Sequence, residues 1–298
     1  MAALGFDGKV AIITGAGGGL GKQHALSLAS RGALVVVNDL GGAVDGSGSD
    51  AGAAQLVVEE IKAAGGEAVA NTDSVATPEG GESIVQTAVD AYGRIDIVVN
   101  NAGILRDKTF HNMTPDLLDP VLDVHLKGAF NVTKPAWVHM REQQYGRVIC
   151  TSSAAGVFGN FGQTNYGAAK MGLVGLTRVL AVEGARYNIQ ANAIAPLALT
   201  RMTEDIMGNL GEKLSPSLVA PIVTYLAHES CDATGRLFSV GGGRVAEVII
   251  AEVPGFYKED LTAEDVAENW AAVTEREGYS VPRNLGEETG LFVKAFKA

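Results

Sequence analysis

Residues 9–21 read KVAIITGAGGGLG, and this stretch decides the fold. Its first half is short, apolar and β-branched, which predicts a buried strand over 9–14. Its second half is a glycine-rich turn that opens a helical pattern ending at Arg31-Gly32. Such a turn lets the backbone approach a pyrophosphate while the helix N-terminus faces the charge. The stretch predicts a dinucleotide site, and a merely tight strand–helix turn is the alternative.

The same alternation of strand and helix continues outward from this stretch. Apolar runs predict strands, and periodic patterns predict the helices between them. The strands are expected at 33–38, 68–71, 95–99, 147–151, 189–194 and, last, 237–240; the helices at 51–64, 79–92, 117–143, 165–184 and about 217–228. Continuously apolar strands are typical of a parallel sheet covered on both faces. The predicted fold class is α/β, a Rossmann-type doubly wound parallel sheet.

Two segments depart from this alternation. The composition of residues 41–48, GGAVDGSG, predicts a flexible and structureless surface insertion. The tail, residues 255–298, is more polar, and it holds a helical pattern at 262–276 with acidic residues in the first turn. We expect one NAD-binding domain over 1–254, and a C-terminal helical extension over 255–298 that packs on the domain or on a partner subunit.

Composition excludes several classes of protein. The chain has 298 residues, of which 47% are apolar, so a large core is possible. The net charge of −11 repels nucleic acid and anionic membranes. No apolar run is long enough for a membrane span, and neither terminus carries a targeting signal. Cys150 and Cys231 lack metal-site spacing, so no metal is expected and both are interpreted as buried. We expect a cytoplasmic protein.

Acidic residues that follow two of the strands are candidate cofactor contacts. Asp39 ends the second strand, where a carboxylate can bind the adenosine ribose hydroxyls and repel a 2′-phosphate. This predicts NAD rather than NADP. Asp73-Ser74 follows the third strand and is a candidate contact for the adenine edge. An ordinary turn residue remains the alternative for each.

Tyr166 and Lys170 are separated by one helical turn and therefore share a helix face. A phenol is too weak an acid to serve as a base at neutral pH, and a neighbouring ammonium is expected to lower its pKa. Ser153 follows the fifth strand, where α/β folds place ligand groups. These three residues are the candidate catalytic group, with a surface Tyr–Lys pair as the alternative.

Four ordered motifs resemble the short-chain dehydrogenase/reductases: Gly15–Gly21, Asn100-Asn101-Ala102-Gly103, Ser153 and Tyr166-x-x-x-Lys170. The resemblance covers about residues 7–245. It implies an NAD-dependent oxidoreductase in which the Ser, Tyr and Lys are catalytic. The cofactor contacts that it implies, together with those above, are Gly15, Gly17, Gly19, Leu20, Gly21, Asp39, Asp73, Ser74, Asn101, Gly103, Tyr166, Lys170, Pro196, Ala198 and Thr200.

Two positions depart from the family pattern. His125 stands where the family often has a catalytic Asn, and a direct proton role for it is a minor alternative to a main-chain role. Ala195-Pro196-Leu197 replaces the usual Pro-Gly, which leaves the nicotinamide contacts at Pro196–Thr200 less certain.

Finer matches, including Gly159–Tyr166 and His228–Cys231, resemble one subfamily. It is the (3R)-hydroxyacyl-CoA dehydrogenase part of peroxisomal multifunctional enzymes of type 2, also named 17β-hydroxysteroid dehydrogenase type 4. The implied reaction is oxidation of a (3R)-hydroxyacyl-CoA to the 3-ketoacyl-CoA. A 17β-hydroxysteroid is the alternative substrate, and a catalytically silent NAD sensor is the alternative of another class. Arg106, Lys108 and Arg201 are candidate partners of the CoA phosphates, though each is better interpreted as a surface charge.

Assembly and substrate shape are the last expectations. The helices over 117–143 and 165–184 resemble the family's dimer-forming pair, and residues 171–176 are apolar nearly all round, so we expect a homodimer. The segment 196–216 is rich in apolar residues that predict an adaptable cover for a bulky apolar substrate, or else a short helix closing the core. Those residues are Met202, Ile206, Met207, Leu210 and Leu214.

Overall fold

The apolar runs of the sequence form one sheet. The computed structural model describes residues 4–200 and 213–296, and in that part of the chain eight strands are ordered β3-β2-β1-β4-β5-β6-β7-β8. The strands are β1 (Val10–Thr14), β2 (Leu34–Asn38), β3 (Glu67–Asn71), β4 (Ile97–Asn100), β5 (Gly146–Thr151), β6 (Ile189–Pro196), β7 (Leu237–Gly241) and β8 (Arg244–Val248). The predicted α/β class, with a Rossmann-type sheet, is confirmed.

Strands β1 to β7 pair in parallel, and β1 lies between β2 and β4. Ala11, Ile12 and Ile13 of β1 have no exposed surface, because helices cover both faces of the sheet. Asp96 accepts a buried 2.9 Å hydrogen bond from the Val10 amide and so joins β1 to the start of β4. The strand order reverses between β1 and β4, which opens a crevice at the carboxyl ends of these strands.

Helices connect the strands and form the two outer layers. They are α1 (Gly19–Ala29), α2 (Gly52–Ala63), α3 (Pro78–Tyr92), α4 (Pro115–Leu122), α5 (Gly128–Gln143), α6 (Ala154–Phe158), α7 (Thr164–Gly184) and α8 (Ala220–Ala227). Helix α1 packs against α8, while α3 packs against α5 and α4 against α7. The helix predicted over 117–143 is therefore two helices, separated by a π-helical turn at Asp123–Lys127.

Strand β8 was not predicted, and the expectation that 237–240 is the last strand is wrong. Gly242 and Gly243, both with positive φ, separate β8 from β7. Two residues are too few for a parallel crossover, so β8 turns back on β7 as a hairpin. The Gly-Gly pair followed by the alternating sequence RVAEV is the hairpin signal.

The chain divides into two units, Met1–Glu247 and Val248–Ala298, and the division falls before the expected boundary at 254. Thr262 begins a helix in the second unit with a capping box to Asp265, as its sequence predicts. The single helix expected over 262–276 is instead α9 (Ala263–Glu268) and α10 (Trp270–Val273), interrupted at Asn269. An unpredicted helix, α11 (Leu285–Ala295), follows. None of the described residues in this unit is fully buried.

Candidate active site

The turn after β1 is built for close approach of its backbone. Gly15 has φ +65°, and a Cβ on it would lie 2.7 Å from the Ala102 Cα. A Cβ on Gly21 would collide with the Gly15 carbonyl oxygen, because α1 begins directly against the turn. A side chain at either position would push apart the turn and the end of β4. The turn therefore leaves its backbone exposed to the cleft above α1.

The Asp39 carboxylate holds the turn to the end of β2. Its Oδ2 accepts a 2.7 Å hydrogen bond from the Gly17 amide, and its Oδ1 accepts one of 2.7 Å from the Gly41 amide. A Cβ on Gly17 would lie 2.9 Å from this carboxylate. Asp39 thus has a structural role, beside the ribose contact predicted for it, because it fixes the spacing between the glycine turn and β2.

Asp73 and Ser74 lie across the same crevice, at the end of β3. The Asp73 carboxylate accepts hydrogen bonds from Asn71 Nδ2 (2.9 Å) and Ser83 Oγ (2.6 Å). The Ser74 hydroxyl accepts a 3.2 Å bond from the Ala76 amide. Both residues line the cleft, so their position agrees with a contact to an adenine edge.

One cavity of about 700 Å³ extends along the carboxyl ends of the strands. It brings together most of the residues that the sequence singles out. The predicted cofactor residues that line it are Gly15, Gly19, Leu20, Asp39, Asp73, Ser74, Asn101, Gly103, Tyr166, Lys170, Pro196, Ala198 and Thr200. Gly17 and Gly21 do not line it and act instead through the packing of the turn. Asn101 donates to the carbonyl oxygens of Thr14 and Gly15 (3.0 and 3.1 Å) and so ties β4 to the turn.

The candidate catalytic side chains meet on one wall of this cavity. Ser153 caps α6 at the end of β5, and its hydroxyl lies beside the Tyr166 phenol and lowers the pKa of that phenol. Lys170 lies one turn further along α7, with its Nζ 5.4 Å from the centre of the Tyr166 ring. That Nζ donates a 2.6 Å hydrogen bond to the Thr151 carbonyl oxygen. The cluster offers a hydroxyl donor, a phenol and an amine within one cavity wall.

Burial controls the protonation of these groups. It raises the pKa of Tyr166, although the hydrogen bond from Ser153 offsets part of the rise. Burial also lowers the pKa of Lys170 to about 7. The expected lowering of the Tyr166 pKa is therefore wrong, since burial of the phenol raises this pKa. The phenol is protonated at neutral pH and suited to hydrogen bonding with a substrate oxygen.

His125 lies on the π turn and is fully buried beside Tyr166. The two rings make an edge-to-face contact with centroids 5.2 Å apart. The imidazole Nε2 lies 3.1 Å from the Ile104 amide nitrogen and 2.8 Å from its carbonyl oxygen. Burial lowers the pKa of His125 well below its usual value, and Lys170 lowers it further. The ring is therefore neutral, which disfavours a proton-donating role and favours support of the backbone after β4.

The predicted CoA-phosphate contacts are placed differently from one another. Arg106 donates to two main-chain carbonyl oxygens, of Asp45 and Asp116. Lys108 is exposed and does not line the cavity. Arg201 lies outside the described residues, as do the apolar residues Met202, Ile206, Met207 and Leu210 of the predicted cover. Leu214, the remaining member, is buried.

Several lining residues were missed by sequence reasoning. Val75 and Ala76 follow β3, and Gly42, Ala43, Val44 and Gly46 belong to the insertion after β2. The expectation that the insertion is structureless is wrong, because Ala43 donates a 2.8 Å hydrogen bond to the Ser47 carbonyl oxygen and Asp50 one of 3.1 Å to that of Leu40. The high glycine content predicts flexibility, but main-chain hydrogen bonds hold the turns of the insertion.

Comparison with known proteins identifies the family. The protein-family model described as "short chain dehydrogenase" matches residues 9–210 of this chain. The chain belongs to the short-chain dehydrogenase family. It is 53% identical, over 98% of its length, to peroxisomal multifunctional enzyme A of Dictyostelium discoideum, and it spans 66% of that protein. It is also 38% identical, over 88% of its length, to a hydroxyacyl-CoA dehydrogenase of Mycobacterium tuberculosis, of which it covers 86%.

Solved structures agree with this assignment. Full-length peroxisomal multifunctional enzyme type 2 from Drosophila melanogaster matches with a TM-score of 0.83 and 38% identity, over 99% of this chain and 50% of that one. A 7α-hydroxysteroid dehydrogenase complexed with NADH and 7-oxo glycochenodeoxycholic acid matches with a TM-score of 0.73 and 29% identity, over 82% of this chain and 98% of that one. The predicted resemblance to the short-chain dehydrogenases and to the peroxisomal multifunctional enzymes is confirmed. The family's cofactor is a nicotinamide dinucleotide.

Among residues 4–200 and 213–296, no group of three or more His, Cys, Asp or Glu side chains is arranged to hold a metal ion. Within the same ranges, no helix has the length and apolar character that crossing a bilayer requires.

Proposed function

We propose that this chain oxidises (3R)-hydroxyacyl-CoA esters to 3-ketoacyl-CoA esters with NAD. The observation that carries the proposal is that one cavity is lined by Asp39, by Ser153 and by Tyr166. A cavity of about 700 Å³ is within the range of small-molecule and cofactor sites. The glycine turn supplies the exposed backbone amides that suit a pyrophosphate.

Each residue of the cluster has a distinct role in the proposed chemistry. When bound, NAD supplies the hydride acceptor. Ser153 donates a hydrogen bond to the substrate oxygen and holds it beside the phenol. Tyr166 exchanges the hydroxyl proton with that oxygen, which is general acid–base catalysis. Lys170 holds the nicotinamide ribose and, while protonated, stabilises the phenolate form of Tyr166.

The choice of substrate rests on the cavity wall and on the relatives. The wall of the cavity carries Leu105, Val124, Phe158 and Leu197, which suit an apolar chain. One relative is named as a hydroxyacyl-CoA dehydrogenase. The chain spans about two thirds and one half of the two multifunctional proteins it matches, so their other activities are not transferred to it. A 17β-hydroxysteroid remains the second candidate, since the same wall suits a sterol and one structural neighbour acts on a steroid.

The finer features of the proposal follow from exposed and charged groups. NAD is preferred to NADP because the Asp39 carboxylate repels a 2′-phosphate. A homodimer is proposed because α5 and α7 expose apolar side chains, among them Phe130, Val138, Val179 and Val182. The extension is proposed to pack on the domain or on the partner. We propose the cytoplasm as the compartment of this protein. Because several matched relatives are named as peroxisomal, cell fractionation is the measurement that tests this proposal.

A kinetic panel tests the proposal. It contains (3R)- and (3S)-hydroxyacyl-CoA esters of several lengths, a 17β-hydroxysteroid and a hydroxyacyl thioester of acyl carrier protein. We expect NADH production from the (3R)-CoA esters and none from the (3S) epimers. In Tyr166→Phe turnover is expected to fall by about 10²–10⁴-fold. The matched control is Tyr187→Phe, which changes a half-buried tyrosine that is bonded to Arg141 and lies outside the cavity.

Each other outcome of the panel has a stated meaning. Exclusive activity on the carrier-protein thioester or on the (3S) epimers overturns the substrate assignment and leaves the Tyr166 chemistry standing. Full turnover of the Phe variant overturns that chemistry. Binding of NADH with no turnover of any secondary alcohol supports the alternative of a silent NAD sensor.

A further inference from the structure

The insertion after β2 is an ordered loop whose two ends meet. We call residues 41–50 the strap. At its base, Asp39 Oδ1 accepts the Gly41 amide and the Leu40 carbonyl oxygen accepts the Asp50 amide. At its tip, the Asp45 carboxylate accepts 2.9 and 2.7 Å hydrogen bonds from the amide and hydroxyl of Ser47. A compact loop of this kind, with closed ends and internal bonds, is common at functional sites.

The strap crosses the cleft and is fastened on its far side. The Val44 carbonyl oxygen accepts a 2.9 Å hydrogen bond from the Leu105 amide. The Asp45 carbonyl oxygen accepts one of 2.8 Å from Arg106 Nε. The strap therefore runs from the Asp39 side of the cavity to the segment that follows β4, and four of its residues line the cavity. A dinucleotide that reaches from Asp39 to Lys170 lies against this loop.

Arg106 joins the strap to the catalytic wall. Besides Asp45, its guanidinium reaches the Asp116 carbonyl oxygen in the first turn of α4, at 2.7 Å. Its own carbonyl oxygen accepts a 2.8 Å bond from Asn165 Nδ2. Asn165 precedes Tyr166, and its Oδ1 accepts the Tyr166 amide at 2.7 Å. Through its side chain and its main-chain carbonyl, this one residue connects the strap, α4 and the start of α7.

From this arrangement we propose that the strap is a retaining wall of the cofactor site and that Arg106 is its positioning residue. The inference rests on the proposed dehydrogenase function and adds an element that holds the adenosine half of the dinucleotide. Release of the cofactor then requires the strap to part from residues 105–106, which breaks the bonds at Val44 and Asp45. Arg106 lines the cavity but acts through the strap, and its bond to Asp45 governs the rate of cofactor release.

The deciding measurement is the rate at which NADH dissociates from its binary complex with the enzyme. Stopped-flow fluorescence in the absence of acyl-CoA follows this rate. Loss of a charge-assisted hydrogen bond at the fastening predicts that Arg106→Ala releases NADH about tenfold faster. Arg106→Lys keeps the charge and one donor, so its rate is expected between those of the alanine variant and the unaltered chain. The control is Arg236→Ala, which removes an arginine of a 3.8 Å surface ion pair outside the cavity.

A second variant changes the strap itself and leaves the Arg106 side chain in place. Asp45→Ala removes an exposed side chain that orders the tip of the strap, and it is also expected to speed NADH release. In both variants KM for NAD is expected to rise. In Asp45→Ala, whose side chain does not line the cavity, kcat is not expected to fall, because the catalytic groups are unchanged. Unchanged dissociation rates in both variants overturn the inference and leave the proposed function intact. Failure of the unaltered chain to bind NADH overturns the proposed function, and the inference with it.

Discussion

The ammonium nitrogen of Lys170 donates a 2.6 Å hydrogen bond to the carbonyl oxygen of Thr151, at the end of β5. The contact lies in the buried wall of the cavity, where little water solvates the charge, and burial lowers the pKa of Lys170 to about 7. The proposed chemistry needs the positive charge on Lys170, and burial of this charge lowers the stability of the folded state.

Replacement of this lysine is expected to stabilise the fold while removing activity. The unfolded chain keeps the Lys170 proton up to pH 10.5 and the folded chain releases it at about 7, so unfolding free energy rises between these values. Lys170→Met removes this rise, and at pH 7 we expect a gain of about 1–3 kcal/mol. Urea unfolding at pH 7 and pH 9 measures it, with the exposed Lys134→Met as control. A less stable Met variant at pH 7 would contradict the argument.

Cofactor choice is expected to depend on Asp39. Removal of its charge takes away the repulsion of a 2′-phosphate, so Asp39→Asn raises the ratio of kcat/KM for NADP to that for NAD. Adding Leu40→Arg supplies a cation for that phosphate and raises the ratio further. Because Asp39 also accepts the amides of Gly17 and Gly41, Asp39→Ala is expected to weaken both cofactors more than the Asn variant does. An unaltered enzyme that prefers NADP would show that Asp39 does not select the cofactor.

Acid is expected to destabilise the fold through buried histidines. His24 on α1 is fully buried, and burial lowers its pKa from 6.5 to about 3. The unfolded chain protonates His24 near pH 6.5, whereas the folded chain does so only near pH 3. The free energy of unfolding therefore falls as the pH drops from 6.5 toward 3, by about 1.4 kcal/mol per pH unit. His24→Leu reduces this slope, and the exposed His111→Gln does not. Thermal unfolding between pH 4.5 and 7 gives the slopes; equal slopes in all three chains would refute the explanation.

The proposed dimer has its own test on α7. Val179 and Val182 are 55% and 57% exposed, which is costly for apolar side chains unless a second copy covers them. A glutamate at Val179 buries a charge in such an interface, so Val179→Glu is expected to give monomers. Light scattering at micromolar concentration measures the mass. Leu56→Glu, at a 67% exposed position on α2, is the control and stays dimeric.

The parts of the fold that the sequence predicts are those with local signals. The run of apolar residues in β1 and the glycines after it act on their own neighbours, so strand, turn and helix are visible together. The one-turn spacing of Tyr166 and Lys170 likewise sets their shared face. The direction of the Tyr166 pKa shift was missed, because burial depends on every element around the phenol and no short pattern reports it.

The parts that were missed depend on distant partners. The ordered strap needs Arg106, which bonds main-chain carbonyls, and a carbonyl has no signature in the sequence. A composition of GGAVDGSG indicates flexibility when those fastenings are unknown. The interruption of the predicted 117–143 helix at the π turn likewise accompanies the contact of His125 with Ile104, a residue far along the chain.

The central position of β1 in the sheet also affects how the chain folds during its synthesis. The Val10 amide meets its buried acceptor on Asp96, 86 positions later, and β4 follows at once. Synthesis at about 5–20 residues per second leaves this apolar strand without its inner neighbour for on the order of ten seconds. During that time its free edge can pair with other nascent chains. The enzyme is therefore expected to need chaperones at the ribosome, and its yield to fall when translation of residues 15–95 is slowed.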